Sequence, residues 1–174
     1  MGRTGNFNID GLKKFRDELN ELQNPDKFVE ACAKELAARL LRLVVKRTPV
    51  GDYDRYWTDT DGTRLVDNKG KEIVLHKSSK KGGTLRRGWT GGKRSSAQNY
   101  ADSLTVHHFG NDYVIEIVNP VEYASYVEYG HRKPNHKGWV RGQFMMTISE
   151  QELERIAPRV LENKIRKYLG GLGK

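Results

Sequence analysis

Apolar residues recur at helical spacing in three stretches of the chain and alternate in a fourth. Ile9, Leu12, Phe15, Leu19 and Leu22 form a narrow stripe that predicts a helix over Ile9–Leu22, ended by Asn24-Pro25. Phe28, Cys32, Leu36, Leu40 and Val44 form one i,i+4 row over Asp26–Arg47, flanked by Val29, Ala33, Ala37, Leu41 and Leu43. A face that wide predicts burial against a sheet, with room for a second partner. Pro49 closes this helix, because the residue before a proline avoids α geometry. A last helix, with Leu153, Ile156, Val160, Leu161, Ile165 and Tyr168 on its apolar side, runs to about Leu169. Ser149 with Glu152 reads as a capping box at its start, and Pro158 predicts a kink inside it.

Ser103–Phe109 and Tyr113–Val118 alternate around Gly110-Asn111-Asp112 and predict a central hairpin. Leu104, Val106 and His108 share one face of it, as do Tyr113, Ile115 and Ile117 on the second strand. Thr63–Val66 and Glu72–His76 flank Asp67-Asn68-Lys69-Gly70, a turn sequence that predicts a second, projecting hairpin. The class is therefore α+β. A small antiparallel sheet around residues 103–118 is packed by the Asp26–Arg47 helix and the C-terminal helix. Met1–Asn8 reads as an arm, residues 51–101 as an inserted hairpin and basic loop, and Gly170–Lys174 as a frayed tail. No internal repeat is evident.

The most distinctive stretch is Val118–Arg132. Asn119-Pro120 stops a β-branched run, and Val121–Glu128 then spaces Tyr123, Ala124 and Val127 helically. This short helix carries three tyrosines (Tyr123, Tyr126, Tyr129) and two glutamates (Glu122, Glu128). Gly130 follows, where a left-handed residue is needed to end it. Tyr123, Ala124, Val127, Glu128 and Gly130 resemble the signature Tyr-Ala-x-x-Val-Glu-x-Gly of a tail-component family of long-tailed bacteriophages. Three further pieces keep that family's order. Thr48-Pro49-Val50 resembles Ala-Pro-Val-x-Thr-Gly, Gly83–Trp89 resembles Thr-Gly-x-Leu-Arg-x-Ser, and Gln143-Phe144-Met145-Met146 resembles the Pro-Phe-Leu that opens the last helix. There are two departures. About thirty residues, Gly51–Gly82, part the second and third pieces, and Gln143 replaces proline before Phe144.

The resemblance implies a structural virion protein of the neck, from a tailed phage or a headless tail-like particle. It would form a ring of its own copies, a hexamer, at the head-proximal end of the tail. There it would complete or terminate the tail for head–tail joining, with neck and tail-tube proteins as neighbours and DNA passing through the lumen. Such a protein is assembled in the host cytoplasm and is not an enzyme.

Charge sharpens one region. The 174 residues carry a net +9, and seven of the cations (Lys77, Lys80, Lys81, Arg86, Arg87, Lys93, Arg94) lie between Lys77 and Ala101 with no acidic residue among them. Three readings stay open for this glycine- and serine-rich stretch: contact with DNA phosphates, contact with an acidic face of a neighbouring subunit, or a solvated loop. The main alternative to a neck protein is thus a basic DNA-binding accessory protein. Only 36% of the residues are hydrophobic and the mean hydropathy is −0.76, which predicts exposed arms or a core completed by neighbours. The single cysteine, Cys32, cannot form an internal disulfide, so a reduced compartment is expected. No run approaches the ~20 apolar residues of a membrane span, and no signal peptide is evident.

Candidate chemistry is sparse. Asp59-x-Asp61-Gly62 matches the start of a calcium loop, but Gly70 stands where the twelfth-position glutamate is needed. His107 and His108 are adjacent on a strand and so point to opposite faces. His131 and His136 have no nearby cysteine or carboxylate to complete a metal site. No phosphate-binding glycine loop is present. No catalytic, cofactor or metal site is predicted, and a metal-dependent nuclease is the third and weakest reading.

Overall fold

Helix α1 (Pro25–Arg47) forms where its periodicity places it, and every member of its i,i+4 row is buried. The computed structural model describes residues 25–92, 95–133 and 136–172. The expected Ile9–Leu22 helix and Met1–Asn8 arm lie outside these. The face of α1 is covered by helices rather than by the expected sheet: α3 (Ala97–Ser103) and the long C-terminal α5 (Met145–Leu172). Ala33, Ala37 and Ala38 are buried on that face, and such small residues let neighbouring helix backbones come close.

The main core joins Leu36, Leu40, Leu41 and Val44 of α1 to Leu85, Trp89, Ala101, Ile117, Met145, Met146, Leu153 and Ala157. A second cluster, Phe28, Val29 and Cys32, is packed by Tyr113, Leu161, Ile165 and Tyr168, with the Phe28 and Tyr168 rings 4.3 Å apart. Burial pushes the Cys32 thiol up to about 11, so it stays protonated and inert at neutral pH.

The strands are short and peripheral. β3 (His107–Phe109) and β4 (Asp112–Val114) pair around the expected turn, but the ladder stops well inside 103–118. On one side Ser96 caps α3, its side chain accepting the Asn99 N–H at 3.1 Å, so Ala97–Ser103 is helical rather than loop or strand. On the other side Ile117 leaves the sheet and enters the core. The β3–β4 hairpin is tied to α1 by Tyr113 Oη donating to Asp26 and by a 2.9 Å contact of His108 with Glu30. A second helix, α2 (Thr84–Gly88), also lies within the expected basic loop.

Ser149 and Glu152 do not cap α5. The helix starts four residues earlier, at Met145, and Ser149 is buried with its hydroxyl donating to Met145 O at 2.6 Å. Glu152 pairs instead with Arg47. The helix continues through Pro158 to Leu172, so the expected tail at Gly170–Leu172 is helical. From the motif glycine on, β5 (Gly130–Arg132) pairs antiparallel with β6 (Trp139–Arg141), on which Trp139 is 62% exposed.

Residues 51–81 include no buried residue. Here β1 (Arg55–Tyr56) pairs with β2 (Val74–His76), and bridges join Thr58 to Arg64 and Val66 to Glu72. Three segments close on one another through a cyclic relay. Trp57 N–H donates to Ile73 O at 3.0 Å, Ile73 N–H to Leu65 O at 2.9 Å, and Leu65 N–H to Trp57 O at 2.8 Å. This exposes an internal repeat that the sequence pattern hid. Trp57, Leu65 and Ile73 recur every eight residues, as do Asp59 with Asp67 and Gly62 with Gly70. Both turns are built alike. Asp59 Oδ1 accepts from Asp61 and Thr63 N–H, and Asp67 Oδ1 accepts from Lys69 and Lys71 N–H, all within 2.8–2.9 Å. Gly62 (φ 82°) and Gly70 (φ 75°) take the left-handed residue each turn requires. Asp59, the first aspartate of the calcium-loop match, is therefore a turn former.

Backbone donation from Lys71, then from Lys69, holds the Asp67 carboxyl below its ordinary value of 3.8. A depressed folded value means that the turn is fully stabilised above about pH 4 and loosens as pH falls through the lower, folded value. The Lys69 and Lys71 amide resonances should titrate together with a midpoint below 3.8. A midpoint at or above the ordinary value would refute the turn assignment.

Candidate assembly surfaces

The helix predicted over Val121–Glu128 is α4 (Ala124–Tyr129), one turn shorter at its start. Ala124 and Val127 turn into the core, while Tyr123, Tyr126 and Tyr129 are exposed, at 43%, 59% and 46%. The glutamate between them does something the sequence did not signal. Glu128 is only 3% exposed, and it caps α5 from outside that helix. Its carboxylate accepts Met146 N–H at 2.9 Å, Thr147 N–H at 3.0 Å and the Thr147 hydroxyl at 2.8 Å. The first N–H groups of a helix have no partner within it, and a carboxylate there satisfies both the donors and the helix dipole. The chain enters α5 through Phe144 at φ 49°, pinned by Gln143 N–H to Val127 O and Phe144 N–H to Glu128 O. Gln143, where the resembling family has proline, thus uses the N–H that proline lacks.

Gly130 has the positive φ expected of it (84°), but with ψ 175° it is extended rather than left-handed helical. That region is essentially restricted to glycine. A Cβ there would lie 2.2 Å from Val140 O, and one at Gly142 would lie 2.2 Å from Glu128 O. The two glycines let the backbone after α4 and the backbone before α5 pass in contact.

The two sequence pieces parted by residues 51–82 meet again in space. Thr48 is fully buried; its hydroxyl accepts from Trp89 Nε1 at 2.8 Å and donates to Val44 O at 2.6 Å. Arg86 donates through Nε and Nη2 to Thr48 O at 3.1 and 2.6 Å. Asn119 is buried alongside, its amide donating to Leu85 O at 2.9 Å. Of the seven cations singled out, Arg86 is therefore a structural latch, and Arg87 leans on Gly82 O and Thr84. Lys77, Lys80 and Lys81 are exposed, and Lys93 and Arg94 lie outside the described residues. Arg86 and Arg87 do share a cleft of about 450 Å³ with Arg42 and Lys46 of α1, lined also by Val45, Thr90, Ser95 and Ala97 and, among the described residues, by no acidic side chain. Arg42 and Lys46 lie four apart on α1, away from its apolar row, so hydrophobic periodicity does not signal them. Among the described residues no group of three or more His, Cys, Asp or Glu side chains could hold a metal ion, and no helix is long and apolar enough to cross a membrane.

The family model of bacteriophage HK97-gp10 tail components matches residues 13–130. The chain belongs to this family. No curated protein and no solved structure matches it. The matched segment of this tail-component protein contains α1, the Thr48 latch and α4, and it ends on Gly130, at the motif glycine. The residues of the α5 entry, Gln143 and Phe144, lie beyond it.

Two expectations follow for stability. Replacing Glu128 by alanine leaves two backbone donors at the head of α5 without a partner, which should cost about 2–4 kcal/mol in urea unfolding, with glutamine milder. A loss below about 0.5 kcal/mol for Glu128→Ala would remove the cap from the account. Gly130→Ala and Gly142→Ala should each destabilise by about 2–4 kcal/mol through strain and overlap; wild-type melting in either would show that the two backbones do not touch.

Proposed function

We propose that this tail component is a neck protein that forms a ring of its own copies at the head-proximal end of the tail, completing it for head–tail joining. Membership of the tail-component family over residues 13–130 is the observation that carries the reading. Two surface features support it. The 51–81 segment is ordered in its own hydrogen bonds yet contributes nothing to the core, as a contact arm would. The three tyrosines on α4 supply a second exposed surface of the aromatic type enriched at interfaces. Neighbouring neck and tail-tube proteins are the partners expected beyond the ring, in the virion after assembly in the host cytoplasm. A DNA-binding role is the second reading, favoured by the cleft of Arg42, Lys46, Arg86 and Arg87. Its signature would be an affinity of the isolated protein for duplex DNA that falls steeply with salt.

Gly51 and Gly82 touch, a Cβ on Gly82 lying 2.1 Å from Gly51 O, so removal of Asp52–Lys81 can be closed without moving the Thr48 latch. The deleted chain should keep the parent's circular dichroism and melt within a few degrees of it, while particles made with it carry incomplete necks. Unfolding on deletion would make the segment part of the core. Normal particles would make it dispensable.

A further inference from the structure

The segment Asp52–His76 is opposite in charge to the rest of the chain. It holds six acidic and four basic side chains, net −2, which leaves +11 on the remaining residues. Strand alternation and the cyclic relay place Trp57, Leu65 and Ile73 on one face of this small sheet. They are 51%, 41% and 38% exposed. The other face carries Tyr56, Arg64 and Glu72, already engaged with one another, the Arg64 guanidinium 3.8 Å above the Tyr56 ring and 2.7 Å from Glu72. That face also carries Val66 and Val74, 55% and 39% exposed, while the Trp57 face is bordered by Asp59, Asp61 and Asp67 in the two turns. A sheet this small is marginal in water unless something covers such a face.

A groove of matching character lies between α1 and α5. It has a volume of about 560 Å³, with Ile156 and Val160 on its apolar side and Arg39, Arg159, Lys164 and Lys167 around them, against one acid, Glu35, among the described residues. Glu35 is itself paired with Arg39 at 2.8 Å, which leaves the groove's field positive. Among the described residues nothing covers the arm's apolar face, and the groove's charge and apolar floor on a second copy match it.

We propose that the arm of one copy docks in the α1–α5 groove of the next, Trp57, Leu65 and Ile73 against Ile156 and Val160, with the turn aspartates among the groove cations. The contact joins two different surfaces, so it is heterologous: repeated, it produces a closed ring or an open filament rather than a two-fold dimer. Opposite charge steers the encounter and apolar burial holds it. This rests on the assembly reading above and names the surface that does the assembling.

The test uses two variants of the full chain. Trp57→Ser/Leu65→Ser spoils the arm, and Arg159→Glu/Lys167→Glu spoils the groove; all four positions are surface-exposed or groove-lining, and each variant should retain the parent's circular dichroism. By sedimentation, the parent should form higher oligomers as concentration rises, and each variant alone should be shifted at least tenfold toward monomer. Mixed in equal amounts, the two should form a 1:1 heterodimer and nothing larger, since one intact arm and one intact groove remain. Asp61→Lys should restore association to the groove variant. A parent that stays monomeric at every concentration, or variants that associate like the parent, would overturn the inference. Neither result touches the role as a tail component, which would then depend on partners other than copies of this chain.

Discussion

The N-terminus of α5 sits inside the protein, where the unpaired amides that begin every helix cannot turn to water. A buried amide without a partner costs about 1–3 kcal/mol, and Glu128 removes that cost for Met146 and Thr147 at once. Much else depends on this arrangement. It fixes where the longest helix starts, and hence that Met145, Met146, Leu153 and Ala157 face α1. It requires the chain to turn sharply at Phe144, and it brings the backbone around Gly142 against that around Gly130. The glutamate and the glycine of the motif thus serve one junction: the first supplies the acceptor, and the second leaves space for the crossing.

The Thr48 latch has a different consequence. Arg86 and Trp89 hold Thr48 directly, so the ends of the 51–82 excursion are fixed by the core and not by the excursion itself. The entropy of closing a loop grows only slowly with its length, so a long insertion at such a point is tolerated. The inserted residues are then free to be selected for what they contact. They carry a sheet with its own turns, and none of residues 51–81 is buried among the described residues.

Charge divides within the excursion, at His76, since Lys77, Lys80 and Lys81 belong with the basic body. The body is strongly basic, whereas the 52–76 sheet is mildly acidic. Like-charged bodies repel at long range, and an oppositely charged sheet gives such bodies one favourable way to approach. That makes a basic composition compatible with self-assembly as well as with a nucleic-acid neighbour, and association of either kind should weaken as salt screens it.

The sequence by itself determined the local elements whose periodicity is set by neighbours along the chain. Helix α1 with its buried row, the Asp67–Gly70 turn, the positive φ of Gly130 and the family signature were all legible from residue spacing. Tertiary structure decided where each polar group found its partner. Ser149 and Glu152 have the spacing of a capping box, yet the carboxylate that caps the helix comes from Glu128, far away in sequence. Arg86 looked like one of seven surface cations and is instead bonded to the carbonyl of a buried threonine. Ser96 at the start of α3 had the right chemistry for a cap, but the surrounding glycines and cations concealed it. The eight-residue repeat became visible only when three segments closed into one hydrogen-bonded ring. Periodicity reports which face of an element is apolar; the identity of the group that meets each buried donor depends on contacts between distant segments, and those exist only in the fold.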